Sequence, residues 1–147
     1  MRIVHRKAIL EDAAQLLELR RASIVALAPQ GMSILDAKNW AVRLTVTGME
    51  KKLREMEIWV AELDDKVVGW GAIRGDHLEG LYTNPKCASR GIGTGLLGLL
   101  EGLMRERGIL SVQADASSNA EDFYLRRGYE RIGPRSSELA RPITKRL

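Results

Sequence analysis

Two strand-like segments, Leu78 to Thr83 and Ile109 to Ala114, are joined by the loop Asn84-Pro85-Lys86-Cys87-Ala88-Ser89-Arg90-Gly91-Ile92-Gly93-Thr94-Gly95 and then by Leu96, Leu97, Leu100, Leu103 and Met104 at helical spacing. Parallel strands need a long connection and a helix supplies one, so this order predicts a crossover unit of strand, helix and parallel strand. Just upstream, Ile58 to Ala61 and Val67 to Ile73 flank Asp64-Asp65-Lys66, which reads as an antiparallel hairpin with a tight turn. A sheet holding both kinds of pairing, with helices against it, puts the chain in the mixed α/β (α+β) class.

The remaining elements fit around that centre. Residues 8 to 28 place Ile9, Leu10, Ala13, Leu16, Leu17, Leu19, Ile24 and Leu27 on one helical stripe that Pro29-Gln30-Gly31 interrupts. A second helical stretch begins near Ser33, with Asp36 three places on as a capping pattern, and runs to Met56 with a break expected near Thr47-Gly48. After the crossover unit, Ser118 and Glu121 form another capping-box pattern for a short helix that Gly128 ends. Tyr129 to Ile132 and Leu139 to Arg146 are the expected closing strands. At 147 residues and 45% apolar, the chain is sized for one domain over 1–147, burying roughly two thirds of its unfolded surface.

Composition excludes several function classes. No apolar stretch approaches the roughly 20 residues of a membrane span, and Met1 to Lys7 is not followed by the apolar region of a secretory signal, so the expected location is cytoplasmic. One cysteine, Cys87, and two histidines, His5 and His77, do not supply a zinc ligand set, and no metal is expected. The balance of 23 basic and 19 acidic residues gives +4, mostly in alternating signs, so nucleic acid is not an expected partner. The late group Arg126, Arg127, Arg131, Arg135, Arg141, Lys145 and Arg146 reads as a solvated basic face. A homodimer is left open.

The loop itself points to a negatively charged guest. Glycines where a loop enters a helix let a ligand reach backbone N–H groups that lack intrahelical partners, and the helix dipole favours negative charge there. Gly95, Gly98 and Gly102 lie within the expected helix at a cost of up to about 1 kcal/mol each, which implies close packing or ligand access. Gly93-Thr94-Gly95-Leu96-Leu97-Gly98 matches the dinucleotide pattern G-x-G-x-x-G, with Asp115 near the place of a ribose-binding acid. That pattern belongs directly after a strand, whereas here Pro85 to Arg90 intervene and an antiparallel hairpin precedes it. No lysine followed by serine or threonine comes after the glycines, so a nucleotide-triphosphatase loop is excluded.

Leu81-Tyr82-Thr83-Asn84-Pro85, the Arg90-Gly91-Ile92-Gly93-Thr94 loop, and Asn119-Ala120-Glu121-Asp122-Phe123-Tyr124 followed by Gly128-Tyr129 together resemble the GCN5-related N-acetyltransferase (GNAT) family over most of residues 58 to 130. The resemblance implies a mixed, mostly antiparallel sheet whose central parallel pair splays apart, flanked by helices. It also implies acetyl-coenzyme A as co-substrate and an amine-bearing acceptor. In the family, backbone groups near Leu81, Tyr82 and Thr83 meet the pantetheine, and amides from Ala88, Ser89, Arg90, Gly91, Ile92, Gly93 and Thr94 meet the pyrophosphate. Asn119 and Phe123 then fall along the coenzyme arm, with the Tyr124 hydroxyl beside its sulfur. The family usually carries glutamine or arginine where this chain has Ala88, and Arg90 is an alternative source of charge.

An amine with a pKa of about 10.4 reaches such a site almost wholly protonated, so a proton acceptor is required. His77 and Glu79, two apart on a strand, share a face by simple alternation and are both candidates. Family members carry an acid at the position of one or the other. Tyr124 is the candidate proton donor to the departing thiolate, and a strand amide near Leu81 or Tyr82 the donor to the acyl oxygen. Trp40 is a candidate wall of the acceptor pocket. The alternative to an enzyme is a non-catalytic acyl-coenzyme A sensor or interaction module.

Overall fold

The computed structural model describes residues 2–27, 33–87, 90–135 and 140–147. The expected Pro29-Gln30-Gly31 break, the loop positions Ala88 and Ser89, and Leu139 lie outside the described residues. One seven-stranded sheet organises the rest, in the order β1-β2-β3-β4-β5-β7-β6. Its strands are β1 (Ile3–Lys7), β2 (Glu57–Leu63), β3 (Lys66–Arg74), β4 (His77–Thr83), β5 (Ser111–Ser117), β6 (Glu130–Arg131) and β7 (Ala140–Arg146). The helices are α1 (Ala13–Leu27), α2 (Ile34–Ala41), α3 (Val46–Glu55), α4 (Ile92–Glu106) and α5 (Glu121–Leu125).

All pairings are antiparallel except β4 with β5, which run parallel and pair only at His77 with Gln113 and Leu78 with Ala114. Beyond Leu78 the two strands diverge, and β4 has no strand partner on that side. The hairpin turn forms as expected, with Asp64 and Asp65 both at positive φ, 52° and 63°, the conformation that matches the twist of a two-residue hairpin.

β3 explains how the sheet is covered on both faces. Trp70 is buried toward α1, where its indole N–H donates to Leu16 O at 3.0 Å. Its neighbours Gly69 and Gly71 point the other way. A Cβ at Gly69 would stand 2.7 Å from Ile92 Cγ2, and one at Gly71 2.7 Å from Leu100 Cδ1, so α4 lies as close to the sheet as glycine permits. Leu16, Leu17 and Met49 from α1 and α3 fill one side with Ile58 and Val60. Leu97, Leu100 and Met104 from α4 fill the other with Ile73, Val112 and Ile143.

Several expectations need correction. β1 is a strand that its charged sequence concealed: as an edge strand it buries little, and Arg6 binds Asp12 at 2.8 Å and Glu62 at 3.0 Å. The break between α2 and α3 falls at 42–45, where Thr45 caps α3 by accepting from Gly48 N at 3.1 Å, so Thr47-Gly48 lie inside the helix. Ser33 does cap α2, accepting from Asp36 N at 3.1 Å. The second capping box is not formed: Ala120 is the N-cap of α5, with no side-chain cap bond, because Glu121 is engaged by arginines instead. Close packing does not explain Gly98 or Gly102, since nothing lies within 4 Å of a Cβ at either, whereas Gly95 faces His5 Nε2 at 3.6 Å. Among the described residues no helix is long and apolar enough to cross a membrane, and no group of three or more His, Cys, Asp or Glu is arranged to hold a metal ion.

Candidate active site

The divergence of β4 from β5 opens two adjoining cavities. The larger, about 450 Å3, lies at the start of α4 and is lined by Gly91, Ile92, Gly93 and Thr94, by Leu81 and Thr83 of β4, by Cys87, and by Phe123 and Arg127. The smaller, about 240 Å3, follows β4 back toward the point of divergence, between Glu79 to Tyr82, Asp115 to Ser117 of β5, and Trp40 with Ile24 from the helices. Ser23, Leu81, Asn119, Ala120 and Tyr124 line both, so Tyr124 stands where the cavities meet.

Local sequence builds the larger cavity. Gly91 is the N-cap of α4 at φ 74°, a left-handed conformation that costs glycine little and other residues more, and it turns the chain so that the helix points into the cavity. The first intrahelical bond is Gly95 N to Gly91 O at 2.9 Å, which leaves the N–H groups of Ile92, Gly93 and Thr94 without helical partners at the positive end of the dipole. Gly93 keeps the approach open: a Cβ there would lie 3.4 Å from the Phe123 ring and 3.5 Å from Thr83 Cγ2, in the space a ligand would use. Arg90 is exposed in the loop and is not among the lining residues.

A β-bulge places the two proton-acceptor candidates differently. Across β3, Gly80 pairs with Ala72 and Leu78 with Ile73, so Glu79 is the extra residue, and the simple alternation that put it on one face with His77 is broken. Glu79 lines the smaller cavity, with its carboxylate 3.6 Å from Arg74 Nε. His77 lines neither cavity and lies 4.0 Å from the Asp115 carboxylate. Tyr82, whose ring packs on Trp70 with centroids 4.7 Å apart, and Trp40 give the smaller cavity aromatic walls.

Tyr124 is 7% exposed, its ring held edge-on between Phe123 and Tyr129 at centroid distances of 5.2 and 5.3 Å. Tyr129 is fixed in turn by its hydroxyl, which donates to Glu101 at 2.8 Å. Burial, reinforced by the nearby Tyr82, raises the Tyr124 phenol above its ordinary 10.0, so it stays protonated at neutral pH. Asn119 accepts a hydrogen bond from the Ser117 hydroxyl, which fixes its carbonyl oxygen at the cavity junction.

The late arginines are not simply a solvated face. Arg131, Arg135 and Arg141 converge on the buried carboxylate of Glu121, which opens α5. Bonding to Arg131 holds that carboxyl below its ordinary 4.5 against the opposing effect of burial. Arg127 enters the larger cavity. Neither Arg127 nor Ser23 was marked by any pattern in the sequence: one was hidden in a basic run, the other in an ordinary amphipathic stripe.

Residues 26–139 match the family model of the acetyltransferase (GNAT) domain. The chain belongs to the GNAT acetyltransferase family. A GCN5-related N-acetyltransferase from Rhodopseudomonas palustris is 30% identical, with a TM-score of 0.89 over 100% of this chain and 97% of that one. PaiA N-acetyltransferase from Thermoplasma acidophilum, solved in complex with coenzyme A, is 21% identical with a TM-score of 0.86 over 100% of both chains. N-acetylglutamate synthase from Neisseria gonorrhoeae, solved with coenzyme A and N-acetyl-glutamate, is 19% identical with a TM-score of 0.74, over 100% of this chain and 35% of that one. No curated protein matches the sequence. The sheet of this GNAT chain, mostly antiparallel with one splayed parallel pair, is the fold that the sequence resemblance implied, and it leaves no doubly wound parallel sheet for the dinucleotide reading.

Proposed function

We propose that this protein acetylates a primary amine, with acetyl-coenzyme A as donor and direct attack in a ternary complex. The observation that carries the reading is the meeting of two cavities at Tyr124, one ending on the open amides of α4 and the other holding carboxylates. The coenzyme's thioester supplies the activated acetyl group when bound. The residues suit it: the Gly93 approach is unobstructed, the Ile92 to Thr94 amides offer donors to phosphate, and β4 beyond Leu78 has a side with no strand partner for the pantetheine arm.

Within the smaller cavity, Glu79 and Asp115 are the charged groups among the described lining residues, which suits an acceptor arriving as an ammonium ion. Glu79 is the better-placed proton acceptor, directly or through water, because the bulge turns it to the cavity and His77 is not turned there. The Tyr124 phenol, kept protonated by burial, donates to the departing thiolate. Cys87 lines only the larger cavity, at the α4 end, so a covalent relay through its thiol is not part of the mechanism.

A panel of amines incubated with the protein and acetyl-coenzyme A, read by release of free thiol and by mass spectrometry of any product, tests the reading. At least one amine should gain an acetyl group with stoichiometric thiol. Coenzyme binding without thiol release across a broad panel would instead favour the non-catalytic sensor or interaction module.

A further inference from the structure

We propose that Arg127 is a ligand for the coenzyme diphosphate, held in its binding position before the coenzyme arrives; this rests on the acetyltransferase reading above. Arg127 follows α5 and lines the larger cavity beside Gly91 to Thr94. Its guanidinium is fixed on three sides. It lies over the Phe123 ring, 3.7 Å from the centroid. Nη1 donates to Phe123 O at 2.8 Å, and Nε and Nη2 donate to Thr94 Oγ1 at 3.1 and 2.7 Å.

None of these partners carries a charge. Arg131, Arg135 and Arg141 share the Glu121 carboxylate and Lys145 pairs with Glu101, but no described carboxylate lies within ion-pair distance of Arg127. Three of the five N–H groups of the guanidinium are used, which leaves one on Nη1 and one on Nη2. Thr94 Oγ1 receives two of those bonds, so its own hydroxyl hydrogen is free to be donated. The result is an uncompensated cation next to the open amides of Ile92, Gly93 and Thr94, where the α4 dipole adds to its field.

An arginine already ordered by stacking and three hydrogen bonds loses little further freedom when an anion binds, so more of the interaction appears as affinity. The same guanidinium bonds the backbone of Phe123, the residue before Tyr124, and thereby joins the anion-binding end of α4 to the helix that carries the phenol.

Calorimetric titration of the full chain and of Arg127→Ala with coenzyme A, 3′-dephospho-coenzyme A and pantetheine tests this. Arg127→Ala should raise Kd by about tenfold or more for both diphosphate-bearing ligands, by similar factors, with no change for pantetheine. An unchanged Kd for coenzyme A overturns the assignment, and so does a loss confined to coenzyme A, which would place Arg127 at the 3′-phosphate. Should Arg127→Ala fail to fold, Arg127→Lys is titrated in its place. It keeps the charge without the fork and should weaken both diphosphate ligands to a smaller extent, and unchanged affinity again overturns the proposal. If the wild-type chain binds none of the three ligands, the acetyltransferase reading fails along with it; if it binds coenzyme A normally and only the variant result is null, Arg127 alone is removed.

Discussion

Oε1 of Glu79 lies 3.6 Å from Nε of Arg74, at the bulge just past the last pairing of β4 with β5. Arg74 is more than half exposed, so this pair contributes at most about 1 kcal/mol and leaves the carboxylate accessible at the smaller cavity. A proton acceptor there needs no deep burial: it must be close to the ammonium and remain anionic.

Glu79→Gln is therefore expected to lower kcat/KM about a hundredfold on an acceptor found by thiol release, within the range for loss of a general base. His77→Gln should leave kcat/KM nearly unchanged, because His77 lines neither cavity. Steady-state kinetics of both variants decides the matter, and a larger loss at His77 would reverse the assignment.

Tyr124→Phe removes one hydroxyl from a residue that lines both cavities while keeping the ring between Phe123 and Tyr129. The expected result is a fall in kcat of about a hundredfold with an unchanged Kd for acetyl-coenzyme A. Because burial raises the phenol above 10.0, its ionisation should produce no descending limb in the kcat profile below that pH. A limb near neutrality that disappears in the Phe variant would contradict the role given to Tyr124.

The fold was legible where local signals and long-range packing agree. The Asp64-Asp65 turn, the apolar runs of β2 and β3, and the stripe of α4 each name their own structure, and the resulting sheet is mixed as expected. β1 was not legible, since an edge strand tied down by Arg6 carries no continuous apolar signal. The start of α5 departs from its local pattern because the short-range pairing of Ser118 with Glu121 competes with three arginines brought in by the tertiary fold. At the site, the family resemblance implied that the Gly91 to Thr94 turn and the Tyr124 phenol serve one coenzyme, and both line the larger cavity. The bulge that separates Glu79 from His77 depends on the register between two strands, which no residue spacing records.

Glu121 provides a test of the structural frame beneath the site. Its folded pKa is depressed below 4.5, so its contribution to stability is present above that value and is lost as pH falls through the folded value. Glu121→Gln leaves three arginines without their shared anion and should destabilise the protein by about 2 kcal/mol at neutral pH, discounted for the partial exposure of the arginines. In urea unfolding, the gap between wild type and variant should narrow as pH is lowered below 4.5. A gap that does not depend on pH would mean that the ion cluster is not its source.

Gly93 carries the most direct test of the central claim, that open amides at the start of α4 receive the coenzyme diphosphate. An aspartate there would bring a side chain against Phe123 and Thr83 and a negative charge into the anion site. Thermal unfolding with and without saturating acetyl-coenzyme A measures both proteins at once. A ligand at 100 times its Kd adds about 2.7 kcal/mol, and so raises Tm by roughly 5 to 10 °C in a chain of this size. The account predicts that rise for the wild type and none for a folded Gly93→Asp variant; no rise in the wild type, or an equal rise in both, would contradict it.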